Sequence, residues 1–379
     1  MSNPVKSATL KPKEERRLLR GHAWAYRNEF QQIPADLADG AVVDVFSDTR
    51  RFVGRGYFQA TGGIAVRLVT RHQEEIDGEF FARRLAGARA LRERLFPGET
   101  VCRWLHGESD ELPGLVADRY GSVVMARAAS VFYAECAPAL TAAFLAEEGV
   151  EGVVLEAGGA RITAGSVPES LDLTVDGVRC GLRPGETQKT GLFLDQRRGW
   201  AAVRRFAAGA RVFDGHCYHG LWSCNAALAG AASVFGVDSS QPAVDQARAN
   251  AEMNGVQDRC FYDCESVETA LEAKTAYDVV IIDPPAFAKN QQQVHKAMWR
   301  YEALNVLAMG RVAPGGVLFT SSCSHFVEPA AFLDMLKRAG CAAHRRVSLL
   351  EMRGASPDHP VLLSMPETAY LKCAVLRVE

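Results

Sequence analysis

Residues Tyr277 to Phe287 read YDVVIIDPPAF. The stretch up to Asp283 is an almost continuous apolar run, as expected of a strand covered on both faces by helices. Asp283 closes it, and Pro284 and Pro285 follow. Proline fixes its own φ and brings no amide donor. The carboxylate is therefore held at the sheet edge and points into the crevice beyond it.

The same rhythm continues on both sides. Upstream, ARVFD, ASVFGVD and RCFYD read as strands, alternating with helices over LWSCNAALAG, Ser240 to Asn254 and SVETALEA. Ser240 suits a helix N-cap, and Asn254-Gly255 a C-terminal stop. Downstream, Val294 to Val312 is predicted helical, GGVLFTSSCS a strand, and the segment after Glu328 a helix. Alternating β and α elements at this spacing imply an α/β fold with a doubly wound parallel sheet. The segments HRRVSLLEM and YLKCAVLRV are expected to form its antiparallel edge.

Ligands of open α/β sheets bind beyond the carboxyl ends of the strands, so the residues there are the candidates. The first strand ends in Asp214-Gly215-His216-Cys217-Tyr218-His219-Gly220, whose glycines permit tight turning. This is not the GxGxxG fingerprint, which weakens a dinucleotide reading. Asp238 ends the second strand, where a carboxylate accepts from the two ribose hydroxyls of an adenosine. Asp263 ends the third, within reach of an adenine amino group. Each aspartate alone also suits a turn or helix cap; three in strand order point to a nucleoside site.

The remainder of the chain is different. AVVDVF, RFVGRGYF and GIAVRLVT are short alternating segments that suggest a small barrel over residues 1–72. A central α/β domain is expected over 73–185, with a helix from Glu79 to Leu95 ended by Pro97-Gly98, then GSVVMARAA, a helix near Ala137 to Ala146, and GVVLEA. In LDLTV-DG-VRCGL, Asp176-Gly177 suits the positive φ angles of a hairpin turn. Residues 186–379 hold the Rossmann-like domain.

The 379 residues carry a formal net charge of −2, which argues against indiscriminate nucleic-acid binding but not against a local basic face. Lys6, Lys11, Lys13, Arg16, Arg17 and Arg20 form one such cluster. Arg50, Arg51 and Arg55 form a second, and Arg83, Arg84, Arg89, Arg92 and Arg94 a third. Each reads equally as solvated surface. No apolar run is long enough to span a membrane, and the start has no signal-peptide core, so a cytoplasmic protein is expected. None of the ten cysteines sits in a CxxC pair, and no metal is expected. Cys217 and Cys224 with His216 and His219 read better as packed core than as ligands.

QKTGLFLDQR (Gln188 to Arg197), the loop at Asp214, VDSSQPAVDQARANAEMNG, VVIIDPPAF, GGVLFTSSCS and SPDHP together resemble the bacterial large-subunit ribosomal RNA methyltransferases. These are cytosine-5 enzymes with an N-terminal PUA domain, and LKPKEERRLLRGHAWAYRNEF (Leu10 to Phe30) resembles the start of that domain. The resemblance spans nearly the whole chain. It implies a PUA domain, a central α/β domain and a class I methyltransferase domain using S-adenosylmethionine. A DPP-aromatic segment of this kind occurs in methyltransferases acting on planar nitrogenous substrates. The implied cofactor residues are Asp214, Tyr218, Gly220, Asp238, Asp263, Asp283 and Pro284. Pro285 and Phe287 would face the base, and Lys11, Arg16, Arg17 and Arg20 the RNA. The partner would be ribosomal RNA, with a homodimer left open. The loop departs from the family's FSYTGGF: HCYHGLW places His219 for Thr and Leu221 for the second Gly, and Leu221 would narrow the pocket for the cofactor's methionine part.

Carbon 5 of cytosine becomes nucleophilic only after a thiolate adds at carbon 6. Cys323, at the end of GGVLFTSSCS, would be that nucleophile, and Asp283 the acid stabilising the base; a paired base would have to be unstacked to reach them. Transfer to an exocyclic amine is an alternative that leaves Cys323 idle. A catalytically inactive RNA-binding protein of this fold, and an NAD enzyme, are further alternatives. Gln188, Lys189 and Thr190 either cover the cofactor or form a plain loop. Gln196 and Arg197 either hold their segment or contact RNA. His359 lies near the site or on a surface loop.

Overall fold

The computed structural model describes residues 5–185, 189–288 and 290–379. Gln188 lies outside them. They form two compact units, one of residues 5–171, 183–185, 189–191 and 357–368, the other of 172–182, 192–288, 290–356 and 369–379.

The first unit holds two sheets. In the first, the strands run in the order Trp24–Tyr26, Ile64–Thr70, Phe52–Phe58, Val42–Phe46, Lys6–Leu10 and Phe30–Gln32. All pairs are antiparallel except Lys6–Leu10 with Val42–Phe46. Its apolar side is closed by Leu10, Leu18, Val43, Val45, Ala65 and Val66, all essentially inaccessible. The second sheet runs Ala160–Gly165, Gly152–Ala157, Val123–Ala128, Leu115–Tyr120 and Val101–His106. It is packed against the helices Gly78–Leu95 and Ala137–Leu145 through Phe80, Phe81, Leu85, Leu140 and Phe144. The Asp77 side chain caps the first of these helices by accepting from Phe80 N.

The second unit is built on a seven-stranded sheet. Its strands are β1 (Arg211–Gly215), β2 (Ser233–Asp238), β3 (Cys260–Cys264), β4 (Tyr277–Ile282), β5 (Val312–Ser322), β6 (Val347–Arg353) and β7 (Lys372–Val378). They lie in the order β3-β2-β1-β4-β5-β7-β6. Strands β3 to β5 are parallel neighbours, while β7 is antiparallel to both β5 and β6. This is the doubly wound sheet with an antiparallel edge that the alternation predicted. The helices between them are α1 (Arg197–Ala207), α2 (Leu221–Leu228), α3 (Gln241–Met253), α4 (Val267–Glu272), α5 (Val294–Arg311) and α6 (Pro329–Ala342). Val279 to Ile282 are fully buried, as a central strand covered on both faces requires. The order reverses direction between β1 and β4, which leaves a crevice at their carboxyl ends.

A two-stranded hairpin, Leu171–Val175 with Val178–Leu182, precedes this sheet. Asp176 and Gly177 have φ of 49° and 80°, the left-handed pair a tight hairpin turn needs. Ser240 occupies the N-cap position of α3, but its side chain makes no capping bond. Instead its amide donates to Asp238.

Candidate active site at the carboxyl ends of the strands

The chain leaves β1 through a loop in which His216, Tyr218 and Gly220 all have positive φ. That sharp path is tied down from below. Cys217 N donates to Val237 O at 3.0 Å, and Tyr218 N donates to Asp238 Oδ2 at 3.1 Å. Asp238 Oδ1 accepts from Ser240 N at 2.9 Å. Asp238 thus joins the β1 loop to the start of α3 and remains partly exposed. Its two bonds leave further acceptor capacity on a carboxylate that holds about four lone-pair sites. Asp263, at the end of β3, is exposed.

Asp214 is fully buried. Its Oδ2 accepts from Ser223 N at 3.0 Å and Ser223 Oγ at 2.6 Å, so it anchors α2 beneath the loop. Burial pushes its carboxyl up to about 7, against the Ser223 bonds. A Cβ on Gly215 would lie about 3 Å from Val267, Ile282 and Phe213, so the turn out of β1 leaves no room for a side chain there. The rings of Tyr218 and His219 stack at 3.8 Å, and Phe193 meets Tyr218 edge-on at 5.0 Å. Burial lowers the His219 imidazole to about 4, so it is neutral at pH 7.

Three buried polar atoms of this loop have no hydrogen-bond partner among the described residues: Asp214 Oδ1, His216 Nε2 and His219 Nδ1. Buried polar atoms are rarely left so. Their grouping at one strand end fits a polar ligand seated against the loop.

Across the crevice, Asp283 follows β4. Gln196 Nε2 donates to its Oδ1 at 2.9 Å and to Ser321 Oγ at 3.0 Å. Trp222 Nε1 donates to its Oδ2 at 3.3 Å. Burial, with Asp195 nearby, raises Asp283 to about 6 in spite of these bonds. Pro284 is buried and Pro285 exposed. Phe287 is held from two sides. Its amide donates to Tyr301 Oη at 3.4 Å, and the Arg300 guanidinium lies 4.0 Å over its ring.

Cys323 follows β5 and is partly buried. Its thiol is directed at the Pro284 carbonyl, with Sγ 3.9 Å from the oxygen. Ser324 Oγ accepts from Ala288 N at 3.2 Å and contacts Tyr301 Oη at 3.0 Å. The two strand ends are therefore stitched together, with the thiol on one and the carboxyl on the other. Lys372 of β7 donates to Ser324 O and Tyr370 O.

Among the expected site residues of this unit, Asp214, Tyr218, Gly220 and Asp238 come together around one loop, and Asp283, Pro284 and Cys323 around one strand junction. Gln196 and Arg197 hold their segment: the former binds Asp283, and the latter is buried against Asp176 at 2.6 and 2.8 Å. Trp222, Tyr301 and Lys372 were not anticipated. The signal for Lys372 was a lysine next to a cysteine at the start of a largely apolar strand, whose other charged residue, Arg377, lies near its far end. Among the described residues no disulfide joins any of the ten cysteines. Among the described residues no group of His, Cys, Asp and Glu is arranged to hold a metal ion.

In the first unit, Lys11, Lys13, Arg16 and Arg20 are exposed. Lys13, Arg16, Arg17 and Arg20 line a surface depression of about 460 Å³ with Glu14 and Ser364. Arg17 also reaches inward to Glu29 at 2.7 Å and lies over Tyr26. Much of the third arginine cluster is neutralised: Arg83 pairs with Glu74, Arg84 with Glu111, Arg89 with Glu147 and Arg92 with Asp110. Lys189 is exposed, and Thr190 is buried and donates to Asp118. His359 is neither exposed nor in the second unit. It is buried, bonded to Asp358 at 2.9 Å, with its ring 5.1 Å from that of His106.

Two family models match the chain: a PUA-like domain over residues 8–71 and an S-adenosylmethionine-dependent methyltransferase over residues 153–372. The chain is 35% identical to a ribosomal RNA large subunit methyltransferase I of Shewanella amazonensis, across 97% of this chain and 98% of that one. It is 33% identical to the protein of the same name from Alteromonas mediterranea, with the same coverage. Among solved structures, a methyltransferase complexed with SAH superposes with a TM-score of 0.87 at 20% identity, covering 98% of this chain and 100% of the other. A SAM-dependent methyltransferase from Streptococcus mutans gives 0.86 at 19% identity, with the same coverage. At that identity the likeness speaks to the fold.

Proposed function

The chain belongs to the large-subunit ribosomal RNA methyltransferase I family, and we propose that it methylates carbon 5 of a cytosine in large-subunit ribosomal RNA through a covalent adduct on Cys323. S-adenosylmethionine is its cofactor; when bound, it supplies a methyl group on a positively charged sulfur. Asp238 is the residue we assign to its ribose hydroxyls, and Asp263 to the adenine edge. Tyr218, Gly220 and the unpartnered atoms of the β1 loop border the same place, with Asp214 supporting them from beneath.

The observation that carries the reading is the meeting of Cys323 with the Asp283-Pro284 segment, thiol to Pro284 carbonyl at 3.9 Å. A base seated there has a soft nucleophile on one side and a carboxyl on the other. The thiolate adds to carbon 6, and the carbon 5–carbon 6 electron pair moves to carbon 5, which takes the methyl group. Loss of the carbon 5 proton then restores the double bond and expels the thiolate. Asp283, raised to about 6 by burial, is partly protonated near neutral pH. It can donate to the ring as negative charge develops. Phe287, fixed by Tyr301 and Arg300, and Pro285 offer apolar surface for an unstacked base. The exposed cations Lys11, Lys13, Arg16 and Arg20, with Arg17 beside them, suit RNA phosphates.

Transfer to an exocyclic amine uses Asp283 alone and gives the thiol no task. Nucleoside analysis of ribosomal RNA from a strain lacking the gene, repaired in vitro with the purified protein, tests the assignment. Restored 5-methylcytosine at one position, absent with Cys323→Ala, is the expected result. An N-methylated base, or a fully active Cys323→Ala protein, overturns it.

A further inference from the structure

Lys372 is 3% exposed. It sits on β7 directly opposite Ser322, the residue before Cys323. Its Nζ donates to the carbonyl of Ser324, the residue after Cys323, at 2.6 Å, and to that of Tyr370 at 2.7 Å. The lysine therefore brackets the cysteine, level with the preceding residue and bound to the following one. Its two partners are neutral carbonyls. Burying an ammonium without a carboxylate is costly, and here burial lowers the lysine to about 8, with Cys323 and Glu328 acting in the opposite sense.

We propose that Lys372 is a positioning residue for Cys323, an ammonium fixed to the main chain flanking the cysteine that favours its thiolate form. The inference rests on the reading of Cys323 as the nucleophile. A thiolate is the reactive form of cysteine, and an adjacent cation is the usual means of favouring it. The thiol proton passes to solvent before the base arrives. Lys372 is not the acceptor of that proton. Among the described residues it forms no ion pair with a carboxylate, unlike Arg353 on β6, which pairs with Glu351 at 2.5 Å. The other titratable groups on the surrounding elements are Tyr301 on α5, Glu328 at the start of α6, Asp283 after β4, Cys373 on β7, and His325 and Tyr370 in the adjoining loops. Glu328, Asp283 and Tyr301 are acids, which oppose a second negative charge, whereas the buried ammonium favours one.

The test measures the thiol rather than turnover. Full-length protein is alkylated with iodoacetamide across pH 5.5 to 10, and the Cys323 peptide is followed by mass spectrometry apart from the exposed Cys264 and Cys341. Lys372→Met should raise the midpoint by about one pH unit or more, slowing alkylation at pH 7 about tenfold. Lys372→Arg should restore most of the wild-type profile. Lys372→Gln keeps an amide donor for the carbonyls and removes the charge, so it serves where the methionine variant fails to fold; its midpoint should rise likewise. An unchanged midpoint in either neutral variant, with S-adenosylmethionine affinity intact, overturns the proposal. Trapping on 5-fluorocytosine RNA separates this from the nucleophile assignment. A covalent adduct with Cys323→Ala refutes the nucleophile whatever Lys372 does, and a normal trap with an unshifted Lys372→Gln midpoint refutes the lysine's part alone.

Discussion

Gln196 bonds Asp283 at 2.9 Å and, through the same nitrogen, Ser321 at 3.0 Å. One amide therefore sets the carboxyl's orientation against the neighbouring strand. Losing a hydrogen bond to a charged group costs about 1.5–3 kcal/mol, which as transition-state energy is about 10- to 100-fold in rate. Gln196→Ala should lower single-turnover methyl transfer by that range and leave S-adenosylmethionine affinity within about twofold. Calorimetry and rapid-quench assays on one preparation decide it. A wild-type rate would mean that Asp283 needs no positioning.

Asp238 holds the amides of Tyr218 and Ser240 as well as the assigned ribose hydroxyls. Asp238→Ala should weaken cofactor binding by more than about 1.5 kcal/mol, as loss of charge-assisted bonds implies. Asp238→Asn keeps one acceptor oxygen and should lose less. Equal affinity for all three proteins by calorimetry would remove Asp238 from the cofactor site.

The sequence made the Rossmann-like sheet legible because its central strands are apolar runs that alternate regularly with helical segments. Val101–His106 and Leu115–Tyr120 were missed for the opposite reason. Arg103 and Asp118 face each other across that pair and form an ion pair at 2.6 Å, Asp118 buried and Arg103 half-buried, so charged letters fall on inward positions and the alternation fails. Similarly, Gln196 and Trp222 reach Asp283 from 87 and 61 residues away. Strand-end position located the aspartates; nothing local could name partners brought in by the fold. The surface-loop reading of His359 came from the loop composition of Ser-Pro-Asp-His-Pro, yet Arg92 and Arg103 bind Asp358 and the histidine is buried.

RNA affinity is expected to depend on Lys13, Arg16 and Arg20. Neutralising all three should lower the salt slope of RNA binding by about 2, at roughly 0.7 per phosphate contact on a single strand. Arg17 should be left in place, because Glu29 holds it in the fold. Fluorescence titrations at several salt concentrations measure the slope. An unchanged slope would make the cluster a solvated face.

Asp214 offers a pH test. Its carboxyl, near 3.8 when unfolded, is raised to about 7 by burial. A raised folded value favours the protonated form, so this contribution to stability is present in full below about pH 3.8 and is lost as pH rises through 7. Asp214→Asn cannot ionise. The cofactor-free variant should therefore gain melting temperature relative to wild type at pH 8, and the gain should shrink at pH 5. A difference independent of pH would show that Asp214 does not titrate in this range.

The last prediction addresses the chemistry directly. In RNA with 5-fluorocytosine at the target, addition of Cys323 to carbon 6 and methyl transfer to carbon 5 leave fluorine where a proton should depart. The carbon–sulfur bond cannot then be expelled, and the protein stays on the RNA. Wild type should give a band that survives denaturing electrophoresis and requires S-adenosylmethionine. Cys323→Ala should give none while binding cofactor normally. Cys217 is the internal control: it is buried, and burial holds its thiol well above the ordinary value, so Cys217→Ala should trap as wild type does. A trap lost with Cys217→Ala but kept with Cys323→Ala would move the nucleophile to β1. Absence of any trap, with methyl transfer to unmodified RNA intact, would favour amine transfer at Asp283-Pro284-Pro285, because that route forms no sulfur bond to the base.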